Sequence, residues 1–323
     1  MTTSPHDALF KAAFGQPDLA REELELVLPA DIRAHLDLGT LSLCAGSFVD
    51  EDLQHTHSDL LFTVRMKGGG EGLVYVLLEH QSSSDGTMAF RCLRYVVRVW
   101  ERWLRDHPGA KTLPIVLPVV LHHGEGAWRG IPELAAMIEA PAELLAAARP
   151  FVPHFRFLLD DLAKLSPATL ASRSLGALPR LVQLALWASR SFPRLRDAAP
   201  FMRAAMGTLV RDERTRALLM QLFVYVLDTA PPDVEAGAIR SILLEIAGPQ
   251  GREDVVNAGD QLRSEGEAKS LREAIVEFLG ERNVSLSEVG RARLASCADL
   301  TILKVWLKRS VTAAAEADVF AGQ

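Results

Sequence analysis

The sequence predicts an α/β fold, with a mixed sheet in the order α-β-β-β-α-β followed by an all-helical region. Three observations carry this. Two apolar runs, 58–65 and 73–81, flank the turn Gly68-Gly69-Gly70-Glu71-Gly72 and read as an antiparallel hairpin. An amphipathic stretch, 84–105, lies between the second run and another apolar run, 113–122, which makes a strand-helix-strand crossover with parallel strands. Beyond about residue 165 the apolar residues recur at helical spacing.

Each element has a local reason. Ser4-Pro5 starts a helix with proline at its first position, and Ala8, Phe10, Ala13 and Phe14 line one side of it. A second helix is expected over 19–34, ended by Asp37-Leu38-Gly39, and a strand over 41–49 leads into the acidic, histidine-containing connector 50–57. The run 73–81 is apolar on both faces until Glu79, as a strand covered on both sides should be. In the helix 84–105, Met88, Cys92, Tyr95, Val99 and Trp103 form one stripe for the sheet. A further strand is expected over 151–159, before Asp160-Asp161. Helices follow from Ser166-Pro167 onward, Gly248-Pro249-Gln250-Gly251 breaks them, and 259–273 is polar. The expected layout is a core over 1–165, a helical extension packed on it over 166–247, a linker or exposed helix over 248–270, and a small helical unit over 271–323.

With 323 residues, 49% hydrophobic and 24% charged, the chain can bury a sizeable core, which excludes a disordered tail or a disulfide-stapled miniprotein. Its net charge of −6 argues against coating nucleic acid by bulk positive charge and leaves a local basic face open. Cys44, Cys92 and Cys297 are far apart and read as reduced core residues. The longest apolar run is interrupted by Pro114 and Pro118 and falls far short of the ~20 residues of a membrane helix. The N-terminus has no export signal, so a cytoplasmic protein without a membrane partner is expected.

Acidic and amide groups gather at the hairpin's open end. Asp59 starts one strand, Glu79 and Gln81 end its neighbour on one face, and antiparallel pairing brings the two ends together. Two carboxylates, an amide and the main-chain carbonyl of His80 are the oxygen ligands that Mg²⁺ prefers. The helix that follows carries Arg91, Arg94, Arg98, Arg102 and Arg105 at spacings of 3, 4, 4 and 3, one face suited to a phosphate backbone. The plainer reading of that row is a solvated face paired with Glu101 and Asp106. His55, His57, His122 and His123 lack zinc-site spacing, and no G-x-S-x-G supports a serine hydrolase.

Several spaced motifs then resemble one family. Pro5-His6-Asp7-Ala8-Leu9-Phe10-Lys11, Ser58-Asp59-Leu60-Leu61, Leu78-Glu79-His80-Gln81-Ser82-Ser83 and the stretch from Pro118 to His123-Gly124 with Trp128 look like the recombination-promoting nucleases, members of which are often labelled putative transposases. The resemblance covers about residues 5–160 well and the helical remainder more loosely. It implies a PD-(D/E)xK nuclease core, whose αβββαβ order matches the order derived independently above. It further implies that Asp59 is the metal-binding aspartate, Glu79 the glutamate of the E-x-K motif and Gln81 the position of its lysine, glutamine being a variant within the family. Asp7 resembles an additional acid used by some members. The sequence departs at His122, where relatives commonly show tyrosine, and at His57, where a basic residue is often seen before Ser-Asp. The activity implied is metal-dependent hydrolysis of DNA by an endonuclease tied to recombination or mobile DNA, with Mg²⁺, or Mn²⁺ or Ca²⁺, as cofactor. The alternative is a catalytically inactive nucleic-acid-binding or protein-interaction module that keeps the fold. Homo-oligomer formation is compatible with either.

Overall fold

The computed structural model of the chain describes residues 4–44, 60–68, 73–81 and 83–321, with backbone alone for 73–81. Two units separate, Thr3–Gln250 and Gly251–Gln323.

In the first unit the hairpin forms the middle of a sheet of order β1-β2-β3-β4-β5, made by β1 (Leu36–Leu43), β2 (Leu60–Met66), β3 (Leu73–Gln81), β4 (Ile115–His122) and β5 (Leu158–Asp161). β2 pairs antiparallel with β3, from Leu60↔Leu78 to Arg65↔Leu73. β3 and β4 are parallel, from Val74↔Ile115 to Gln81↔His122, and β4 and β5 continue in parallel to His122↔Asp161. The C-terminal ends of three parallel strands therefore share one edge. Mixed pairing, antiparallel on one side of β3 and parallel on the other, is as expected.

Three helices precede the sheet: α1 (Pro5–Phe14), α2 (Pro17–Val27) and α3 (Ala30–Ala34). α1 buries His6, Leu9, Phe10, Ala13 and Phe14, the spacing of one helical face. The expected single helix over 19–34 is two helices, because Leu28 is extended and Pro29 caps α3. Asp37-Leu38-Gly39, expected to be a break, lies inside β1. The register against β2 shifts between Asp37 and Ser42, so the glycine marks an irregular edge strand rather than its boundary. Of the strand expected over 41–49, only Leu41, Ser42 and Leu43 are in β1; residues 45–59 lie outside the described residues.

The long helix α4 (Met88–Asp106) links β3 to β4 and packs Tyr95 and Val99 against Leu61, and Met88, Ala89 and Cys92 against Val120. Leu60, Phe62 and Val64, which alternate with Leu61, are buried as well, so β2 is covered on both faces. α5 (Ala142–Ala148) precedes β5. The expected strand over 151–159 is largely irregular: it starts in a 3-10 turn at Arg149–Phe151, and β5 occupies Leu158–Asp161. Asp160 and Asp161, expected to follow the strand, are its last two residues, both buried.

The rest of this unit is helical: α6 (Pro167–Ala171), α7 (Ala177–Ala188), α8 (Phe192–Met206), α9 (Glu213–Asp228) and α10 (Ala236–Ala247). Ser166 caps α6 and Asp212 caps α9 by accepting from Thr169 N and Thr215 N. α1 packs on α9, and α2 contacts β1, β5 and α7.

The second unit opens with α11 (Arg252–Glu281), one continuous helix through the stretch read as a linker or exposed helix, followed by α12 (Glu288–Ser296), α13 (Leu300–Ser310) and α14 (Glu316–Phe320). Its core holds Ile275, Leu279, Leu294, Leu303, Trp306, Val319 and Phe320. Among the described residues no helix is long and apolar enough to cross a membrane.

Candidate active site

The parallel edge of the sheet collects the polar residues. β3 ends with Glu79, His80 and Gln81, paired in the backbone with Val120, Leu121 and His122. Asp59 lies outside the described residues, one position before β2 begins, and the side chains of Glu79 and Gln81 are likewise outside them.

On the next strands the side chains interlock. His122, 1% exposed, pairs through Nδ1 with Asp161 Oδ1 at 2.8 Å. Asp161 Oδ2 accepts the Trp128 amide at 2.8 Å and lies 3.4 Å from Lys164 Nζ. Gly124 N donates to His122 Nε2 at 3.3 Å, so both imidazole nitrogens are engaged and the ring fixes the loop after β4 rather than presenting a base. The Trp128 ring meets His122 edge-on at 5.1 Å. The segment beyond Trp128 rests on the start of the β3-α4 connection, where Arg129 N donates to Ser84 Oγ at 3.1 Å. A Cβ at Gly130 would lie 2.7 Å from Asp85 O and from the Trp128 ring. Gly130→Ala is expected to lower stability by about 1–3 kcal/mol, measured as a lower urea midpoint at unchanged m-value.

Asp85 organises the entry to α4. Its Oδ1 accepts from Thr87 N at 2.7 Å and Thr87 Oγ1 at 2.8 Å, and its Oδ2 accepts from Arg91 at 2.8 Å. Partial burial raises its pKa, but the Arg91 and Thr87 bonds outweigh that and leave it below the ordinary value. Arg91 is thus tied to the helix start, and Arg102 lies 3.4 Å from Asp106, the partner expected for a solvated face. Arg94 and Arg105 are exposed and Arg98 is half-buried. Asp7 sits half-buried in the first turn of α1, a helix that packs against α2, α7 and α9.

A second polar group joins β5 to the helices. Arg173 binds both Asp160 oxygens at 2.6 Å and Gln183 Oε1 at 3.1 Å, while Gln183 Nε2 donates to Glu23 Oε2 at 2.6 Å. Glu23 is fully buried, and its pKa is driven well above the carboxylate range by burial first and by the Asp160 carboxylate second; Arg173 and Gln183 oppose this without reversing it. The His122–Asp161 and Asp160–Arg173 pairs were not singled out from sequence. Their only signal is two adjacent acids, indistinguishable from a solvated turn. Cys92 is buried as expected, whereas Cys44 and Cys297 are half-buried. Among the described residues no group of three or more His, Cys, Asp or Glu could hold a metal ion.

The family described as "Putative transposase, YhgA-like" matches residues 4–217. Recombination-promoting nuclease RpnA of Escherichia coli (strain K12) is 31% identical over 90% of this chain and 94% of its own length. RpnD of Escherichia coli O157:H7, also named a recombination-promoting nuclease, is 46% identical over 38% of this chain, a match spanning 46% of that protein. RpnE of strain K12, named an inactive recombination-promoting nuclease-like protein, is 29% identical over 85% of this chain and 87% of its own length. No solved structure matches significantly. With the matched region running from the first turn of α1 into α9 and a relative aligned along nearly its whole length, this chain belongs to the YhgA-like putative transposase family.

Proposed function

We propose that the protein is a metal-dependent DNA endonuclease of the PD-(D/E)xK type acting in recombination or on mobile DNA, with Asp59, Glu79 and Gln81 at its centre. The observation that carries this is where the paired strands stop. β2 and β3 pair up to Leu60↔Leu78, and in the sequence Asp59 immediately precedes Leu60 while Glu79 immediately follows Leu78. The names of RpnA and RpnD, which describe nucleases that promote recombination, support the reading.

The donor set suits a hard divalent ion: two carboxylates, the His80 carbonyl and an amide are all oxygen ligands, with Mg²⁺ the first choice and Mn²⁺ or Ca²⁺ as alternatives. Such an ion supplies Lewis acidity at the phosphoryl oxygen and stabilises charge on the leaving oxygen. Asp59 and Glu79 hold it. Gln81 orients a water through its amide but cannot take its proton near pH 7. Plasmid DNA incubated with purified protein tests the reading: nicking with added Mg²⁺ or Mn²⁺ and none with EDTA supports it, and equal nicking in EDTA sinks it. One observation favours a second reading, a binding module without catalysis: the relative RpnE, aligned over 87% of its length, is named inactive.

The basic face of α4 would meet the DNA backbone. Arg98→Ala and Arg105→Ala are each expected to weaken binding to unrelated sequences alike and to reduce the slope of log affinity against log salt by about 0.9. Filter binding across a salt series measures this, and an unchanged slope consigns the row to a solvated face.

A further inference from the structure

α4 has a third face beside the arginine row, from which only Leu93 reaches the core cluster of Met88, Cys92 and Val120. Phe90, Leu93, Val97, Trp100 and Leu104 follow one another at spacings of 3, 4, 3 and 4, the a/d repeat of a helix that pairs with another helix. Phe90 is 50% exposed, Val97 39% and Leu104 46%, with Leu93 and Trp100 half-buried between them. Trp100 Nε1 donates to Pro114 O at 2.9 Å, which brings the start of β4 alongside, and both neighbours of Pro114, Leu113 and Ile115, are exposed. Single apolar side chains on a surface need no explanation, but a repeat sustained over two heptads on one helix does.

The charges beside this seam indicate what covers it. Arg94 and Glu101 occupy successive e positions, seven residues apart on the same flank; both are exposed, and neither has an ion-pair partner among the described residues. We propose that α4 pairs with α4 of a second copy of this chain, antiparallel about a two-fold axis near Val97. In that arrangement Phe90 of each copy lies level with Leu104 of the other, and Arg94 of each meets Glu101 of the other, both contacts occurring twice. A parallel pair would instead set like charges level with one another. The inference stands on α4 alone and does not depend on the nuclease reading.

Sedimentation equilibrium of the full chain tests it. The parent is expected to be dimeric at about 50 µM, a concentration at which a micromolar pairing is saturated. Val97→Glu is expected to be monomeric. Arg94→Glu and Glu101→Arg should each raise the dissociation constant about tenfold by turning two attractions into two repulsions, and the double variant R94E/E101R should recover dimerisation. Circular dichroism confirms folding, and should Val97→Glu fail to fold, the charge-reversal set on exposed positions decides alone. A monomeric parent at about 50 µM, or a double variant as weak as the two single ones, overturns the proposal.

Discussion

Asp59→Ala and Glu79→Ala proteins are expected to hold plasmid DNA without cutting it. Each substitution removes a carboxylate that would hold the ion, whose stabilisation of the transition state is several kcal/mol, so nicking at matched protein concentration should fall by about a hundredfold or more. Removing an acid also relieves repulsion of phosphate, so binding in metal-free buffer should persist or tighten. Gln81→Ala should cost less than either, because the amide only positions. Gln81→Lys should retain or raise activity, since an ammonium can stabilise developing charge. Folded Asp59→Ala and Glu79→Ala proteins that nick like the parent would assign the activity to another site and favour the non-catalytic module.

Arg173→Ala is expected to be the most damaging single change to stability among those considered. Its side chain is 13% exposed and the Asp160 side chain 8%. Truncation leaves the Asp160 carboxylate buried without its bidentate partner and next to Glu23, a loss of about 3–5 kcal/mol that a denaturant titration would read as a large drop in midpoint. Glu23 adds a pH dependence of known sign. Because its folded pKa is raised above its unfolded value, its contribution is fully present below the unfolded pKa and is lost as pH rises through the folded one. Glu23→Gln should therefore flatten the decline of stability toward alkaline pH. An Arg173→Ala protein as stable as the parent, or a Glu23→Gln protein with the parent's pH profile, would show that this buried group is not held as described.

The sheet was legible where its pattern is local. The apolar run and glycine turn around 68–72 place β3 at Leu73–Gln81, and the Met88-Cys92-Tyr95-Val99 stripe is the buried face of α4. Edges were less legible. Gly39 and Asp37 resemble a turn, yet an edge strand with a register shift tolerates both. β5 is short and ends in two acids, which become tolerable in the interior only through His122, Trp128 and Arg173, residues 39, 33 and 13 positions away. Pairings at that range leave no periodic trace. Along α11 the polar composition around Gly259 and Gly266 resembles a connector, but each glycine costs a helix only about 1 kcal/mol and most of the residues around them are good helix formers. Of the candidate site, the strand-end position of Glu79 and Gln81 followed from the end of the apolar run, whereas the scaffold of His122, Asp161 and Trp128 beside it left no such mark.

The packing of α1 on α9 has a consequence for how the chain acquires its fold. His6 Nδ1 meets Tyr225 Oη at 2.9 Å, across 219 positions, and the same helix buries Phe10 and Phe14 completely. During synthesis at about 5–20 residues per second, the partner helix follows α1 by roughly ten seconds or more. Over that interval α1 can pack on α2 and later on α7 but lacks α9, and closing so long a loop slows the final docking step. A ribosome stalled before α9 should therefore carry a protease-sensitive, chaperone-binding N-terminus. Extension through Asp228 should convert it to a resistant one in a single step, making the first helix to emerge one of the last to find its place.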